Sequence, residues 1–339
     1  MTLGLAFIGC GGVTRLHSGY LKRDAEVARF YASRSRERAE DFFRRLQGAG
    51  AFGSYEEAFA DPRVHAVVIA TPPDSHRDLA LRALNAGKHV VVEKPPFLSL
   101  ADFDAVRRAR DAADRRVMVA ENYYYKPVAL ALRAAIAAGD VGDVRLVSVN
   151  ALKQQHVRDW RDDARRSGGG AMFEGGIHWV DFMANLGLPV DSVHGFRAGP
   201  PAGPDDPDRT MVVVFRYATG AVGTLHHSWE IGSPFKGLRL SAIYGTRGTI
   251  TFETNGIFIA SRGRRLRVRV PGLRDVAGYA GMWADFIPAL RANREPRYDL
   301  DTARRDLELT AAIYASLDAV TAPPSTGRSP AASSQPLTP

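Results

Sequence analysis

The sequence predicts an α/β protein: a doubly wound parallel sheet followed by an α+β domain with a large, open, mostly antiparallel sheet. Strand-like and helix-like segments alternate up to about residue 121, and strand-like segments then follow one another directly. With 339 residues, the chain is long enough for two domains. We divide it into residues 1–121, residues 122–322 and a tail at 323–339 that is rich in Pro, Ser and Thr and is expected to be disordered.

The first part of the chain predicts a parallel sheet. The helix between the third and fourth strands is expected to begin near Asp74 or Ser75, which are good N-cap residues, and to end before Gly87. Strands that alternate with helices are typical of a parallel sheet covered on both faces. The predicted strands are residues 5–8, 28–31, 66–69, 89–92 and 117–120.

The second part predicts antiparallel pairing, because its strands are joined by turn signals such as Ala218-Thr219-Gly220 without helical crossovers. Helices are expected near residues 128–138 and 302–318, on either side of these strands. The predicted strands are residues 144–149, 210–217, 221–229, 238–244, 248–253 and 265–270.

Composition narrows the class of protein. The single cysteine, Cys10, has no partner in the chain, which excludes a disulfide scaffold and fits a reducing cytoplasm. No apolar run approaches the ~20 residues that span a bilayer, and the first residues lack the basic region of a secretory signal. We therefore expect a cytoplasmic protein without a membrane partner.

The charge balance is basic, with 45 Lys and Arg against 37 Asp and Glu, and only six of the cations are lysines. Such a balance permits nucleic acid or a phosphate-bearing ligand as a partner, and it also fits an arginine-rich codon usage. Most basic residues are interleaved with acids, as in residues 36–41 and 304–306. The densest run, residues 262–270, alternates as an exposed strand face does. We expect no nucleic-acid partner.

A glycine-rich loop follows the first strand and opens a helix. Small residues there allow the backbone to approach a pyrophosphate at a helix N-terminus, so we expect Gly9, Gly11, Gly12 and Val13 to bind a dinucleotide. Thr14 stands in the place of the third glycine of this pattern. The alternative is a plain tight turn.

The end of the second strand bears on which dinucleotide is bound. A chain that binds NAD usually has an acidic residue there for the ribose hydroxyls, whereas this sequence has Ser33 and Arg34, with Arg38 one helical turn further on. A serine hydroxyl and guanidinium groups suit a 2′-phosphate. The sequence therefore favours NADP(H), with NAD(H) possible; the alternative is that both arginines are simply solvated.

Two later strand ends are expected to face the same ligand, because ligands of doubly wound sheets bind at the carboxyl edge. The first contributes Thr71, Pro72 and His76, and the second contributes Glu93 and Lys94. Proline after Lys94 disfavours helical backbone there, so we expect this lysine to point into the cleft and polarise a substrate oxygen. The alternative is a lysine that merely precedes a turn.

Residues 168–181 form a glycine-rich segment that precedes a predicted helix. On an α-helix, Glu174, His178 and Asp181 would share one face. A histidine with a carboxylate one turn away suits acid and base catalysis near neutral pH. Capping and packing remain an alternative role. A metal site is not expected, because His226 and His227 lack the spacing and the further ligands that it needs.

Two further segments are candidates for substrate binding. Asn122, Tyr123 and Tyr124 follow the last parallel strand, although packing is an equally good explanation of them. Residues 153–160 are polar and aromatic, and they either line a substrate pocket or form a surface loop. Their candidate residues are Lys153, Gln155, His156, Arg158 and Trp160.

In this order and at these separations, the motifs resemble the family of glucose-fructose oxidoreductase, inositol dehydrogenase and rhizopine-catabolism proteins (Gfo/Idh/MocA). The resemblance runs from about residue 3 to residue 320. It implies an N-terminal Rossmann domain and a second domain whose open sheet commonly forms the interface of a homodimer or homotetramer. The segments that carry it are Gly9 to Gly12, Ala70 to Pro72 with His76, Ala86 to Pro95, Glu121 to Pro127, and Gly168 to Asp181.

The resemblance also implies an activity: a dehydrogenase or reductase that transfers a hydride between NAD(P) and a carbinol or carbonyl carbon of a sugar, keto-sugar or cyclitol. Lys94 matches the family's catalytic lysine and His178 its proton-transferring histidine. Glu174 stands where the family usually has Asp, and Asp181 is an alternative for that role. Two other classes stay open: a redox-neutral lyase or glycosidase that retains its nicotinamide, and a non-catalytic dinucleotide sensor.

Overall fold

The computed structural model describes residues 2–156, 169–200, 206–232, 238–263 and 265–321. The predicted tail at 323–339 lies outside these residues. In the part of the chain that the structure describes, no helix is both long enough and apolar enough to cross a membrane.

The first sheet has six parallel strands in the order β3-β2-β1-β4-β5-β6, so all five strands predicted for this part are confirmed. The sixth, β3, is an edge strand of three residues that carries no clear sequence pattern. The strands are β1 (Leu3–Ile8), β2 (Val27–Ala32), β3 (Gly50–Phe52), β4 (Ala66–Ile69), β5 (His89–Val92) and β6 (Val117–Val119). The helices are α1 (Gly12–Leu21), α2 (Arg36–Leu46), α3 (Tyr55–Ala60), α4 (His76–Asn85) and α5 (Leu100–Ala113).

The strand order reverses beside β1, which pairs in parallel with β2 on one side and with β4 on the other. In a doubly wound sheet, connections that leave such a point in opposite directions open a crevice at the carboxyl ends of the strands. The loops that follow β1, β4 and β5 therefore emerge beside the crevice.

The second sheet has eight strands in the order β14-β13-β12-β11-β7-β10-β9-β8. It is mostly antiparallel, as predicted, but β7 and β10 pair in parallel. Two strands were not predicted, β8 and β13; β8 has few apolar residues and is largely half-buried or exposed. The strands are β7 (Val144–Leu152), β8 (Val190–Arg197), β9 (Thr210–Tyr217), β10 (Val222–Ser228), β11 (Leu240–Gly245), β12 (Gly248–Glu253), β13 (Ile259–Arg262) and β14 (Leu266–Arg269).

Helices α6 (Pro127–Ala137) and α7 (Ile177–Ala184) pack on one face of the second sheet, where their apolar residues share a core with β7, β9 and β10. A π-helical turn, Met172–Gly176, runs directly into α7. The boundary that we draw between residues 121 and 122 stays a prediction.

The last two helices return to the first sheet. Trp283 and Phe286 of α8 (Tyr279–Arg291) are 4% and 0% exposed and belong to the core of the parallel sheet, as do Leu300, Ala303 and Leu307 of α9 (Leu300–Thr321). The core of the parallel sheet is thus built from both ends of the described chain.

A buried tyrosine connects this returning segment to the end of the parallel sheet. Tyr125, which is 1% exposed, donates its hydroxyl hydrogen to Asp285 at 2.9 Å and accepts the backbone N–H of Tyr298 at 3.2 Å. Buried polar groups need such partners, because an unpaired one loses the hydrogen bonds that water gives it.

We expect the change Tyr125→Phe to lower the free energy of unfolding by about 1–3 kcal/mol, because it removes a partner from both Asp285 and the Tyr298 N–H. Urea denaturation followed by fluorescence measures this change. The matched control is Tyr20→Phe: the Tyr20 ring stacks on Tyr279, but its hydroxyl has no hydrogen-bond partner among the described residues. Equal stabilities of the two variants would contradict the role of Tyr125.

Candidate active site

The loop after β1 has the geometry of a dinucleotide cradle. Gly9 has φ +102°, a conformation that favours glycine, and a Cβ there would lie 2.9 Å from the Ala70 carbonyl oxygen. A Cβ on Gly11 or Gly12 would instead meet nothing within 4 Å, so the start of α1 is open to a ligand. In the described part of the chain, the amides of Gly12 and Val13 have no acceptor, and α1 has no side-chain cap. These residues fit a pyrophosphate group.

The basic residues at the end of β2 lie beside this loop. Arg38 donates from Nε to the Cys10 carbonyl at 2.9 Å, which places its guanidinium against the cradle. Arg34 is exposed, whereas Ser33 is buried and its hydroxyl accepts the N–H of Ser35 at 3.2 Å. The two arginines are thus at the surface of the cleft, while the serine hydroxyl is engaged in shaping the turn.

His76 connects two strand-end loops and does not face the cleft. It is 0% exposed, with Nε2 2.8 Å from the Thr71 carbonyl and Nδ1 3.0 Å from the Pro95 carbonyl. Burial lowers the pKa of His76. The expectation that this side chain contacts a cofactor is therefore corrected: it holds the loop of Thr71 and Pro72 against the loop of Pro95.

Glu93 is also buried, and both of its carboxylate oxygens contact neighbouring residues. Its Oε1 lies 2.5 Å from His17 Nε2, and its Oε2 accepts the Lys94 N–H at 3.2 Å. Trp283 donates its indole N–H to His17 Nδ1 at 3.1 Å, which makes Nε2 the protonated nitrogen. Burial alone raises the pKa of Glu93, but the hydrogen bond from His17 and the charge of Lys94 outweigh it and lower the pKa. Glu93 thus supports Lys94, and its contact with a cofactor stays a prediction.

The Lys94 side chain bridges the two sheets. Its Nζ donates to the backbone carbonyl of Glu174 at 3.0 Å and lies 3.6 Å from the Glu174 carboxylate. The ammonium is thereby held at the π-helical turn with 18% of its side chain exposed. Glu174 was expected to orient His178, but the structure places its carboxylate beside Lys94.

The carboxylate that orients His178 is Glu121, at the end of the parallel sheet. His178 Nδ1 lies 2.6 Å from Glu121 Oε1, and Glu121 is 2% exposed. Because a carboxylate only accepts, Nδ1 carries the proton, and Nε2 has no partner among the described residues. The Tyr123 ring stacks on the imidazole at a centroid distance of 4.2 Å, with 11° between the planes.

Asp181 faces away from the histidine. It is 0% exposed, and its Oδ1 accepts the side-chain amide of Asn185 at 2.7 Å. Burial, and then the charges of Glu121 and Asp306, raise the pKa of Asp181 well above its usual range. The expectation that Asp181 supports the imidazole is corrected: its carboxyl group is buried inside the protein and bonded to Asn185. The π-helical turn before α7 contains Glu174, so the regular helical spacing expected between Glu174 and His178 is lost.

Lys94 and His178 line one cavity of about 740 Å³. Its walls come from the π-helical turn, from the ends of β7 and β10, and from the start of β11 and the residues after β12. This volume is within the usual range of small-molecule sites. Other residues that line the cavity include Tyr123, Glu174, His227, Trp229, Arg239 and Asn255.

The candidate substrate residues divide into two groups. Lys153 and Gln155 line the cavity, whereas Arg158 and Trp160 lie outside the described residues. Asn122 is 3% exposed and donates its side-chain amide to the Ala277 carbonyl at 2.6 Å. The Tyr124 ring packs on Tyr125 and under the Arg133 guanidinium, away from the cavity. Both of these residues were expected at the substrate, and the structure places them in the packing between elements.

Sequence reasoning missed several cavity residues, among them His227, Trp229 and Arg239. His227 was considered only as a metal ligand; it is 4% exposed, and burial lowers its pKa to about 3, so it is neutral. Gly175 allows this wall to approach the turn, since a Cβ there would lie 3.1 Å from the Trp229 indole nitrogen. Among the described residues, no group of three His, Cys, Asp or Glu is arranged to hold a metal ion. The sequence signal that could have identified the missed residues is a histidine or tryptophan at the end of a predicted strand.

Two family models match the chain. Residues 3–121 match the oxidoreductase family with an NAD-binding Rossmann fold, and residues 129–251 match the Gfo/Idh/MocA C-terminal domain. The parallel sheet is thus an NAD(P)-binding Rossmann domain.

Curated relatives include named sugar dehydrogenases. D-xylose 1-dehydrogenase (NADP(+)) from Hypocrea jecorina is 34% identical over 46% of this chain and 44% of its own length. Levoglucosan dehydrogenase from Pseudarthrobacter phenanthrenivorans is 27% identical over 67% of this chain and 65% of its own length. The chain spans between 44% and 65% of the length of the curated relatives that it matches.

Solved structures share the whole fold. A levoglucosan dehydrogenase in complex with NADH and levoglucosan aligns with a TM-score of 0.82 and 22% identity, covering 94% of this chain and 98% of that one. Both sheets of this chain therefore have their counterparts in that enzyme. Together with the two family matches, which cover most of the sequence, this shows that the chain belongs to the Gfo/Idh/MocA family of oxidoreductases.

Proposed function

We propose that the protein is an NADP(H)-dependent oxidoreductase that acts on a CH–OH or carbonyl carbon of a sugar, keto-sugar or cyclitol. The observation that carries the proposal is that Lys94 and His178 line one cavity at the carboxyl edge of a dinucleotide-binding sheet. The names of the relatives support sugars as the substrate class, since two of them act on xylose and levoglucosan.

The nicotinamide cofactor supplies or accepts the hydride, and the protein supplies the proton and the charge. In the reducing direction, His178 gives the Nε2 proton to the substrate oxygen. The positive charge that the imidazole carries before this step is stabilised by Glu121 at 2.6 Å. In the oxidising direction, Nε2 takes the proton from the hydroxyl.

Lys94 stabilises negative charge on the same oxygen. Its ammonium is held at the cavity wall by the Glu174 carbonyl, and its backbone is held by Glu93, so it needs little reorganisation during the reaction. The Glu174 carboxylate lies 3.6 Å from the ammonium and attracts it to the same wall. Trp283, His17 and Glu93 act as positioning residues for this lysine.

The preference for NADP(H) is supported by Arg34 and Arg38. Both arginines are exposed just after β2, and the Arg38 guanidinium lies against the phosphate loop. No carboxylate stands at position 33 or 34, where it would repel a 2′-phosphate.

The outer face of the second sheet supports a homo-oligomer. Leu146 of β7 pairs with Tyr244 of β11, and these side chains are 52% and 44% exposed on the face opposite α7. Phe196 of β8 is also 45% exposed. An apolar sheet face of this kind marks an interaction site, and we propose a second copy of this chain as its occupant.

Lys94→Ala and His178→Asn are each expected to lower kcat by about 100-fold or more, because each removes a group that acts on the reacting oxygen. The assay screens sugars, keto-sugars and cyclitols by the absorbance of the reduced nicotinamide, and calorimetry checks that NADP⁺ still binds. Lys22→Ala, an exposed lysine after α1, is the matched control. Turnover of substrate without net change in the nicotinamide, or unchanged activity in Lys94→Ala, would contradict the proposed reaction.

Arg34→Ala is expected to raise the KM for NADPH by about 10- to 100-fold, the effect of losing a charge-assisted hydrogen bond, and to leave the KM for NADH unchanged. Steady-state kinetics with both cofactors measure the effect, and Arg44→Ala, at the far end of α2, serves as the control. If the wild-type protein uses NADH as well as NADPH or better, the assignment of Arg34 is wrong.

The double change Leu146→Glu with Tyr244→Glu is expected to convert the oligomer to a monomer, because it buries two charges in the interface. Size-exclusion chromatography with light scattering gives the mass. Leu273→Glu changes a similarly exposed leucine outside this face and is expected to keep the wild-type mass. A wild-type protein that is already monomeric would disprove this interface.

A further inference from the structure

The end of the cavity that lies against the second sheet contains a buried cation. Arg239 comes directly before β11, lines the cavity and is 7% exposed. A buried guanidinium is normally paired with a carboxylate, because desolvating an unpaired charge is costly. The partners of Arg239 therefore indicate what this end of the cavity binds.

In the described part of the chain, Arg239 has no carboxylate within 4 Å. Its Nη2 donates to the Asn255 side-chain oxygen at 2.6 Å, and its guanidinium lies 5.9 Å from the centre of the Trp179 ring. The Nε atom is buried without a hydrogen-bond partner, and Nη1 has no partner among the described residues either. Among the residues that the structure describes, two nitrogens of this guanidinium thus have no acceptor.

The nearby carboxylate that could neutralise Arg239 is committed elsewhere. Glu253, which is 0% exposed, accepts the backbone N–H groups of Asn255 at 2.9 Å and of Gly256 at 3.1 Å. Its Oε1 accepts the side-chain amide of Asn255 at 3.1 Å. These bonds fix the carboxylate on the turn after β12, where it attracts Arg239 but does not pair with it.

A second buried cation adds to the positive charge. Lys126 is 3% exposed, and its Nζ lies 4.2 Å from the centre of the Tyr123 ring, which also lines the cavity. Burial, and then the charge of Arg239, lower the pKa of Lys126 to about 8. Lys153 contributes a third basic side chain at the exposed rim.

We propose that Arg239 binds an anionic group, a carboxylate or a phosphate, carried by the sugar-like substrate. The planar guanidinium forms paired hydrogen bonds with either group, which supplies the missing countercharge. Lys94 and His178 line the same cavity, so a single sugar ring can be held by its anion at Arg239 while a hydroxyl-bearing carbon reaches the catalytic pair. This inference rests on the proposed function, and it narrows the substrate class to sugar acids or sugar phosphates.

The test compares three probes, glucuronate, glucose 6-phosphate and glucose, in binding and in turnover with NADP⁺. Calorimetry on the NADP⁺-loaded protein is expected to show that glucuronate or glucose 6-phosphate binds at least 10-fold more tightly than glucose. Arg239→Gln is expected to weaken binding of that anionic probe by about 10- to 100-fold and to leave glucose unchanged. Arg239→Lys keeps the positive charge but loses the planar guanidinium. Its affinity for the anionic probe is therefore expected to lie between those of the wild-type protein and of Arg239→Gln.

Arg216→Gln is the matched control, because Arg216 is an exposed arginine on β9, outside the cavity. Thermal melting of both variants checks that they fold, and Arg239→Lys stands in if Arg239→Gln does not. The anionic probe that binds more tightly shows whether the site prefers a carboxylate or a phosphate. Equal affinity of the wild-type protein for glucose and for both anionic probes would overturn the proposal, as would an Arg239→Gln variant that loses all three probes alike.

The two proposals fail in different ways. If anionic probes bind through Arg239 but no sugar is oxidised or reduced, the anion site holds and the proposed function is wrong. If Arg239→Gln turns over glucuronate or glucose 6-phosphate as efficiently as the wild-type protein does, the proposed function holds and the anion site is wrong.

Discussion

The hydrogen bond between Glu121 and His178 is the constraint on which the geometry of the site depends. Glu121 ends the parallel sheet and His178 is on α7 of the second layer, so one contact fixes the two layers at the reacting position. A carboxylate that is 2% exposed needs donors, and the imidazole and the Tyr123 N–H at 3.0 Å supply them. The histidine tautomer therefore follows from the burial of the carboxylate. Lys94 reaches the same place from β5, held by the turn that precedes α7.

Local patterns in the sequence predicted the parts of the fold that depend on local physics. The strand β4 and the glycine loop after β1 were found from residue type and spacing, because apolar runs and small residues act at short range. Strand β8 was missed because its residues are mostly half-buried and do not form an apolar run. The parallel pairing of β7 with β10 also had no local signal, since residues 153–221 separate the two strands in the sequence.

The site was predicted less completely, because its residues come from distant parts of the sequence. His178 and Lys94 were identified, but the carboxylate partner of the histidine was sought within one helical turn, whereas Glu121 is 57 positions away. The π-helical turn at Met172–Gly176 made the assumption of regular helical spacing fail. Three of the six lysines, at positions 94, 126 and 153, are in or beside the cavity, while most of the arginine surplus lies on the surface. The excess of arginines in the sequence therefore gave little information about the site. Arg239 is distinguished from the other arginines only by its burial in the structure.

The return of α8 and α9 to the first sheet has a consequence for how the protein is made. Trp283 and Phe286 complete a core whose first strand is synthesised some 280 residues earlier, so the emerging parallel sheet exposes apolar surface until nearly the whole chain has left the ribosome. The contact between His17 and Trp283 that supports Lys94 forms at the same late stage. Translation of the nucleotide-binding half alone thus leaves its core incomplete, and Lys94 acquires its final support only when α8 has been made.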